Sequence, residues 1–223
     1  MDSDRRHHLF DELAVVGKAF GSPKRLELVE LLAQGERTVE SLARTAGMGM
    51  TTASAHLQVL KLANLVRTRR DGTKVYYRLA GDDVAELYVA MRRVARERSA
   101  DVSRALEAYL NLPGSDEVGL VSRADLKRLL ERGEVTLVDV RPPEEYLAGH
   151  IPGSQNVPLG DLGAQVEQLR SAGAVVAYCR GSFCVMAHDA VRILGGEGIA
   201  ARRLEDGMLE WRAAGLPVAA GAS

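Results

Sequence analysis

The chain is 223 residues long, enough for one large domain or for two small ones that each bury a core. It is 46% hydrophobic and 26% charged, the balance of a globular protein, and no apolar run approaches the roughly 18 residues a membrane-spanning helix needs. A net charge of -1 would set nucleic acid aside as a partner, except that the sum hides an asymmetry: residues 1–111 hold 18 Lys+Arg against 15 Asp+Glu, residues 112–223 only 11 against 15.

The first residues, from Met1 to His8, carry charge with no apolar stretch behind it, so no signal peptide is expected and the chain reads as cytoplasmic, without a membrane partner. Phe10, Leu13, Val16 and Phe20 then recur at helical spacing before Gly21-Ser22-Pro23 breaks the chain. Ser22 and Pro23 make a good N-cap and first-turn pair for a second helix, expected to run to about Gln34 and stop at Gly35. Thr38-Val39-Glu40-Ser41 opens a third, with Thr38 and Ser41 both able to cap it and Leu42 and Ala46 facing inward. Gly47-Met48-Gly49 makes a tight turn. From Met50 a fourth helix puts Ala53, Leu57 and Leu60 on one face and Thr51, Ser54, Ala55 and Gln58 on the other. Helix, glycine-containing turn, helix is a helix-turn-helix arrangement.

After Ala63-Asn64 the period changes. Residues 65–70 and 74–79 are β-prone runs joined through Asp71-Gly72, a hairpin signal, with Arg69, Arg70 and Lys74 at the tip. Residues 83–111 contain neither Gly nor Pro, and Leu87, Met91, Val94, Val102, Leu106 and Tyr109 trace an apolar stripe. One long helix is expected there, its stripe packed against a second copy of the chain. Residues 112–116 read as a linker that divides a domain over 1–111 from one over 117–223.

Beyond the linker strands and helices alternate. Helices are expected over 122–133, capped by Ser122 with Asp125, over 144–149, 161–170 and 186–194, and in a last segment containing Trp211. Strands are expected over 135–140, 174–178 and 199–204. Repeated βα units imply a mostly parallel sheet covered on both faces. The fold class is therefore α/β overall, with a mostly helical, β-winged N-terminal domain and an α/β C-terminal one.

The stretch from Leu42 to Leu60, the following Ala63-Asn64-Leu65-Val66 and the basic hairpin resemble the helix-turn-helix and wing of the ArsR family of winged-helix repressors. The resemblance covers about residues 10–110. It implies double-stranded operator DNA as partner and a homodimer formed through the 83–111 helix. In such a motif the second helix offers its N-terminal residues to base edges while wing cations meet phosphate. Met50, Thr51, Ser54 and His56 are thus expected near bases, and Arg69, Arg70 and Lys74 on the backbone. His56 also reads as a packed histidine beside the buried face, and the wing charges as a solvated hairpin. Gly49 stands where the family often has a capping serine. Many ArsR-like proteins sense metals through cysteines, or through histidines and carboxylates. Here the third helix has no Cys and no His lies between His56 and His150, while Asp82, Asp83 and Glu86 are more simply helix N-terminal acids. Neither a metal nor a cofactor is expected.

The run from Val138-Asp139-Val140-Arg141 through Gly149-His150-Ile151-Pro152-Gly153, then Tyr178-Cys179-Arg180-Gly181-Ser182, and late Asp206-Gly207 with Trp211, resemble the signature of the rhodanese family over about residues 117–220. The resemblance implies that Cys179 is a nucleophile that takes up sulfane sulfur. Arg180 and the amides of Gly181, Ser182, Phe183 and on to Val185 would form the cradle, and Asp139 with Arg141 would brace the loop. Cys179 ends a buried strand and precedes a loop into a helix, a nest that favours an anion and is expected to lower the thiol pKa. Asp139 and Arg141 could equally be a satisfied polar network.

Cys179 and Cys184 are the only cysteines. Rhodanese loops often carry a second basic residue near position 184. A thiol there reads either as a resolving partner for Cys179 or as a small apolar filler. Together these features point to a repressor whose cysteine loop responds to a sulfane-sulfur donor or oxidant by releasing DNA. The alternative is a working sulfurtransferase with the winged helix as a tether. Phosphatase or arsenate chemistry would want a Cys-x5-Arg loop, and Val185 stands at that sixth position.

Overall fold

The computed structural model describes residues 2–110, 119–171 and 173–221. The linker expected at 112–116 lies outside the described residues. By contact density the chain divides into two units, Met1–Tyr88 and Val89–Ser223.

The first unit runs α1 (Asp2–Phe20), α2 (Pro23–Leu32), β1 (Arg37–Thr38), α3 (Val39–Thr45), α4 (Met50–Leu62), β2 (Val66–Asp71) and β3 (Lys74–Leu79), and takes in the start of α5 (Asp82–Arg98). Leu28, Leu42, Leu57 and Leu60, one apolar residue per helical turn from three helices, are completely buried and form its core. Of the two candidate caps for α3, Thr38 acts: its hydroxyl accepts the Ser41 amide at 3.3 Å. Ala43, not Ala46, joins Leu42 on the inner face. The hairpin turns one residue later than its sequence signal. Asp71 pairs with Lys74, leaving Gly72-Thr73 as the loop with Gly72 at φ +57°, the first central position where a primed turn takes glycine. β1 adds to β3 with Arg37 opposite Tyr77, a strand too short to show any period.

The single helix expected over 83–111 is instead two, α5 and α6 (Ala100–Leu110). Ser99 makes the break. Its amide still bonds the Ala95 carbonyl at 2.9 Å, but its carbonyl accepts from Ser103 at 3.2 Å and its hydroxyl from the Val102 amide at 3.4 Å, so it ends one helix and caps the next. The buried face of α5 is Val84, Ala85, Tyr88 and Arg92, while Leu87, Val94 and Tyr109 of the apolar stripe stay exposed.

The second unit contains β4 (Leu120–Val121), α7 (Arg123–Glu131), β5 (Thr136–Asp139), α8 (Pro143–Ala148), β6 (Gln155–Asn156), a 3-10 turn (Leu159–Asp161), α9 (Leu162–Ser171), β7 (Val175–Tyr178), α10 (Met186–Gly196), β8 (Ala201–Leu204) and α11 (Met208–Ala213). Its five strands are parallel in the order β4-β8-β7-β5-β6. Alternation along the strands sorts side chains to two helical layers. Val138, Val175, Ala177 and Cys179 face Leu162, Leu169, Ala190 and Leu194 of α9 and α10. Leu137, Val176 and Tyr178 face Leu126 of α7 and Met208 and Trp211 of α11. Ser122 caps α7 as expected, accepting the Asp125 amide at 3.1 Å. Among the described residues no helix is long and apolar enough to cross a membrane.

Candidate functional site

The central strand β7 ends at Tyr178 and delivers Cys179 into a loop that re-enters a helix at Met186. The Cys184 amide bonds the Gly181 carbonyl at 3.0 Å, and this tight turn folds Cys184 back until its carbonyl lies 3.5 Å from Cys179 Sγ. Cys179 is 2% exposed and Cys184 9%, both unoxidised. The start of α11 clamps the loop from outside: the Met208 and Leu209 amides donate to the carbonyls of Cys179 and Arg180 at 2.9 and 2.8 Å. A Cβ on Gly207 would stand 2.5 Å from Gly181 Cα and 2.6 Å from the Cys179 carbonyl, so this approach admits only glycine.

The expectation that the nest lowers the Cys179 pKa is reversed. Burial pushes the Cys179 thiol well up, and the neighbouring Cys184 pushes it further. The Cys184 thiol is pulled down instead, first by the hydrogen bond from Cys179, then by the Met186 and Arg180 amides against its own burial. The backbone groups turned to Cys179 are those of Ala187 and Gly181. The thiols therefore share their first ionisation, with the charge resting on the Cys184 side.

Two parts of the expected cradle face elsewhere. The Ser182 amide donates to Glu210 at 3.1 Å, and its hydroxyl does so at 2.8 Å. The Arg180 guanidinium holds the buried Glu145 bidentately, Nη2 to Oε1 at 2.6 Å and Nε to both oxygens at 3.0 Å. Phe183 lies under the Arg92 guanidinium, 3.9 Å from ring to Cζ. Asp139 and Arg141 form a completely buried bidentate pair. Arg141 reaches on to the Gly149 carbonyl at 2.8 Å, and Asn156 ties the carbonyls of Asp139 and Arg141 together. Burial alone would lower the Arg141 pKa, but the Asp139 carboxylate more than reverses that.

Sequence reading missed Glu145, Glu210, Arg92 and Arg203. Glu210 carried one signal, an acid three residues after the Gly207 cap, the reach-back arrangement of a helix start. The others act across long sequence separations with no local pattern. Arg203 on β8 is half-buried, and burial pulls its pKa down while the two cysteines oppose the fall, so it is a cation near enough to stabilise a sulfur anion.

His188 on α10 is 4% exposed, and among the described residues neither ring nitrogen has a hydrogen-bond partner. Burial, then Arg203 and Arg192, pull its pKa from 6.5 to about 4. Above pH 6.5 the ring is neutral folded or unfolded. Between 6.5 and about 4 only the unfolded chain takes up the proton, so stability falls with pH by up to about 1.4 kcal/mol per unit, roughly 3 kcal/mol in all. A His188→Leu chain should be at least as stable as the parent at pH 7.5 and should lose less on acidification to pH 5 in parallel urea melts. Equal acid losses in the two chains would refute this.

In the first unit the residues expected to face bases lie on α4. Met50 and Thr51 are exposed, Ser54 and His56 half-buried, and Gly49 caps the helix without a side chain. The three wing cations differ. Arg69 bonds Glu36 through Nη2 at 2.5 Å and Asp71 through Nη1 at 3.2 Å and stacks on Tyr76, while Arg70 and Lys74 are exposed on the hairpin. Among the described residues no group of three or more His, Cys, Asp or Glu could hold a metal ion.

Comparison with known proteins gives two family matches: a bacterial regulatory protein of the arsR family over residues 22–68 and a rhodanese-like domain over residues 122–214. An HTH-type transcriptional regulator of Mycobacterium tuberculosis is 53% identical over 220 residues, 99% of this chain and 96% of that one. A probable mercury resistance operon repressor of Streptomyces lividans is 34% identical over 107 residues, 48% of this chain and 82% of its own length. The solution structure of a homodimeric winged helix-turn-helix DNA-binding domain from Mycobacterium bovis is 53% identical over 43% of this chain and 88% of that one, with a TM-score of 0.41.

Proposed function

Since the chain belongs to the ArsR family of HTH-type transcriptional regulators and joins its winged helix to a rhodanese-like domain, we propose that it is a cytoplasmic homodimeric repressor whose Cys179–Cys184 pair senses reactive sulfur and thereby releases operator DNA. The observation that carries this reading is the pair itself. The only two thiols of the chain are buried in one loop at the end of the central strand, each shifting the other's pKa, Cys179 upward chiefly through burial and Cys184 downward chiefly through the hydrogen bond from Cys179.

The Cys184 thiolate accepts the proton of Cys179. The Cys179 thiolate attacks the outer sulfur of a persulfide: a bond to Cys179 forms, the donor's S–S bond breaks, and the donor leaves as a thiol with the proton. Cys184 then attacks Cys179 Sγ and expels hydrosulfide, so both cysteines are oxidised to a disulfide and the sulfane sulfur is reduced. A peroxide would reach the same disulfide through a sulfenic acid and loss of water. The dimer forms through α5 and α6, where Leu87, Val94 and Tyr109 are exposed. The functional boundary falls in residues 112–116, although α5 from Val89 onward clusters with the second unit.

On DNA, Met50, Thr51, Ser54 and His56 meet bases, and Arg70 and Lys74 meet phosphate. Arg69 is already paired with Glu36 and Asp71 and contributes less. Arg70→Ala and Lys74→Ala should each weaken binding across sequences and reduce the salt slope by about 1, with a smaller change in Arg69→Ala. Titrations against operator over a range of KCl concentrations read this directly, and a slope change largest for Arg69→Ala would contradict it.

The sensing reading is tested by adding a persulfide donor to the protein–operator complex while mass spectrometry follows the peptide that holds Cys179 and Cys184. Release should track the fraction of disulfide. Release without modification, or sustained turnover of thiosulfate and cyanide with DNA still bound, would overturn it.

A further inference from the structure

Both cysteines are buried, so any reagent larger than a few atoms must wait for the loop to open. Besides the Met208 and Leu209 amides, one carboxylate gathers several of the contacts that close it. Glu210 on α11 accepts the Ser182 amide at 3.1 Å, the Ser182 hydroxyl at 2.8 Å and the Gly207 amide at 3.1 Å. Arg92 of α5 lies 3.6 Å from the same carboxylate, donates to the Ser182 hydroxyl at 3.3 Å and covers the Phe183 ring. All of these groups belong to the second unit. The Gly181 backbone is pressed so close that a Cβ there would meet Glu210 Oε2 at 3.0 Å and Arg92 Nη1 at 3.2 Å. Two backbone amides, a hydroxyl and a guanidinium converging on one point make an oxyanion site, here filled by the protein's own side chain. The latch lines a cavity of about 360 Å³ with Arg96 and Asp206, so solvent reaches its outer side.

We propose that Glu210 is a positioning residue that keeps the Cys179–Cys184 loop closed by occupying the Ser182 amide and hydroxyl, and that Arg92 ties this latch to α5. The proposal deepens the sensing reading and rests on it only for Cys179 being the group that reacts. While Glu210 holds the Ser182 amide, that donor is denied to the sulfur side of the loop. A perthiolate on Cys179 would gain by recruiting it, and the two anions therefore compete for one N–H. Winning it for sulfur means letting go of Glu210 and disturbing Arg92, the loop-facing side chain of a helix that begins at Asp82 in the first unit.

The test is the rate at which iodoacetamide alkylates Cys179 in the full chain, beside hydrogen exchange at the Ser182 and Leu194 amides. Losing one charge-assisted hydrogen bond shifts an opening equilibrium about ten- to a hundred-fold, so Ser182→Ala, which leaves the Glu210–Gly207 contact intact, should speed alkylation by about that factor. Glu210→Gln should do so at least as strongly and should hasten exchange at Ser182 but not at Leu194. Arg92→Lys should fall between the parent and Arg92→Gln. Unchanged alkylation in Ser182→Ala, or an acceleration in Glu210→Gln that Leu194 exchange shares, overturns the latch. Iodoacetamide reads access to the thiol whatever the natural inducer is, so the latch can fail while sulfur-triggered release stands, and the reverse.

Discussion

A Cys179→Ser chain is expected to bind operator as the parent does and to keep it at persulfide concentrations that strip the parent completely. The exchange of sulfur for oxygen is small in volume, so basal DNA binding, which the proposed reading gives to α4 and the wing, should be unaffected. The response is lost outright because a buried serine hydroxyl neither ionises near neutral pH nor forms a persulfide. Cys184→Ser separates the two thiols. It removes the like-charged neighbour that helps push the Cys179 pKa up, so Cys179 should still take sulfur, but with no resolving thiol the product stays a persulfide. Mass spectrometry of the two chains alongside operator titration checks both. Persulfide-driven release from Cys179→Ser would show that the sensor is elsewhere.

The second large effect is on stability. Arg141→Met should destabilise the second unit by about 3–5 kcal/mol, because it strips the bidentate partner from a fully buried Asp139. The loss comes less from the bond than from the charge left behind: the Asp139 carboxylate would keep the backbone amide of residue 141 and the Tyr178 side chain but no cation, and the Gly149 carbonyl would lose the Arg141 donor. Asp139→Leu combined with Arg141→Met removes both charges and should recover most of the loss. Urea unfolding of the three chains measures this. A single-mutant loss under about 1 kcal/mol would mean that Asp139 is not left charged and alone.

What the sequence made legible follows from the range over which each interaction acts. Helices with a three-to-four residue apolar period, and strands ended by glycine or by a change of period, appear within a residue or two of their positions in the fold. The two-residue strands β1, β4 and β6 do not, since they carry no period and exist only by pairing with a distant strand. Ser99 was visible in principle as a cap inside a long polar-apolar run, but helix propensity over 83–111 argued for continuity. At the site, Cys179 and Cys184 were evident as a pair, whereas the partner of the Arg180 side chain, Glu145, some 35 residues away, was not. The pKa of Cys179 was misjudged for the same reason. The helix start was legible, but not how deeply the strand would bury the thiol or how the other sulfur would share its charge.

The wiring of the sheet says where reagents must arrive. From β5 the chain passes through α8 to β6 at one edge, while from β7 it passes through α10 to β8 on the other side. Two adjacent strands whose exits part company in this way leave a crevice beyond their carboxyl ends. Cys179 sits at that crevice because of strand order, and no side chain of the loop is needed to put it there. The address of the chemistry belongs to the scaffold and only its character to residues 180–185. A chain with that segment exchanged for another of equal length should therefore keep the residue after β7 at the same place in the sheet.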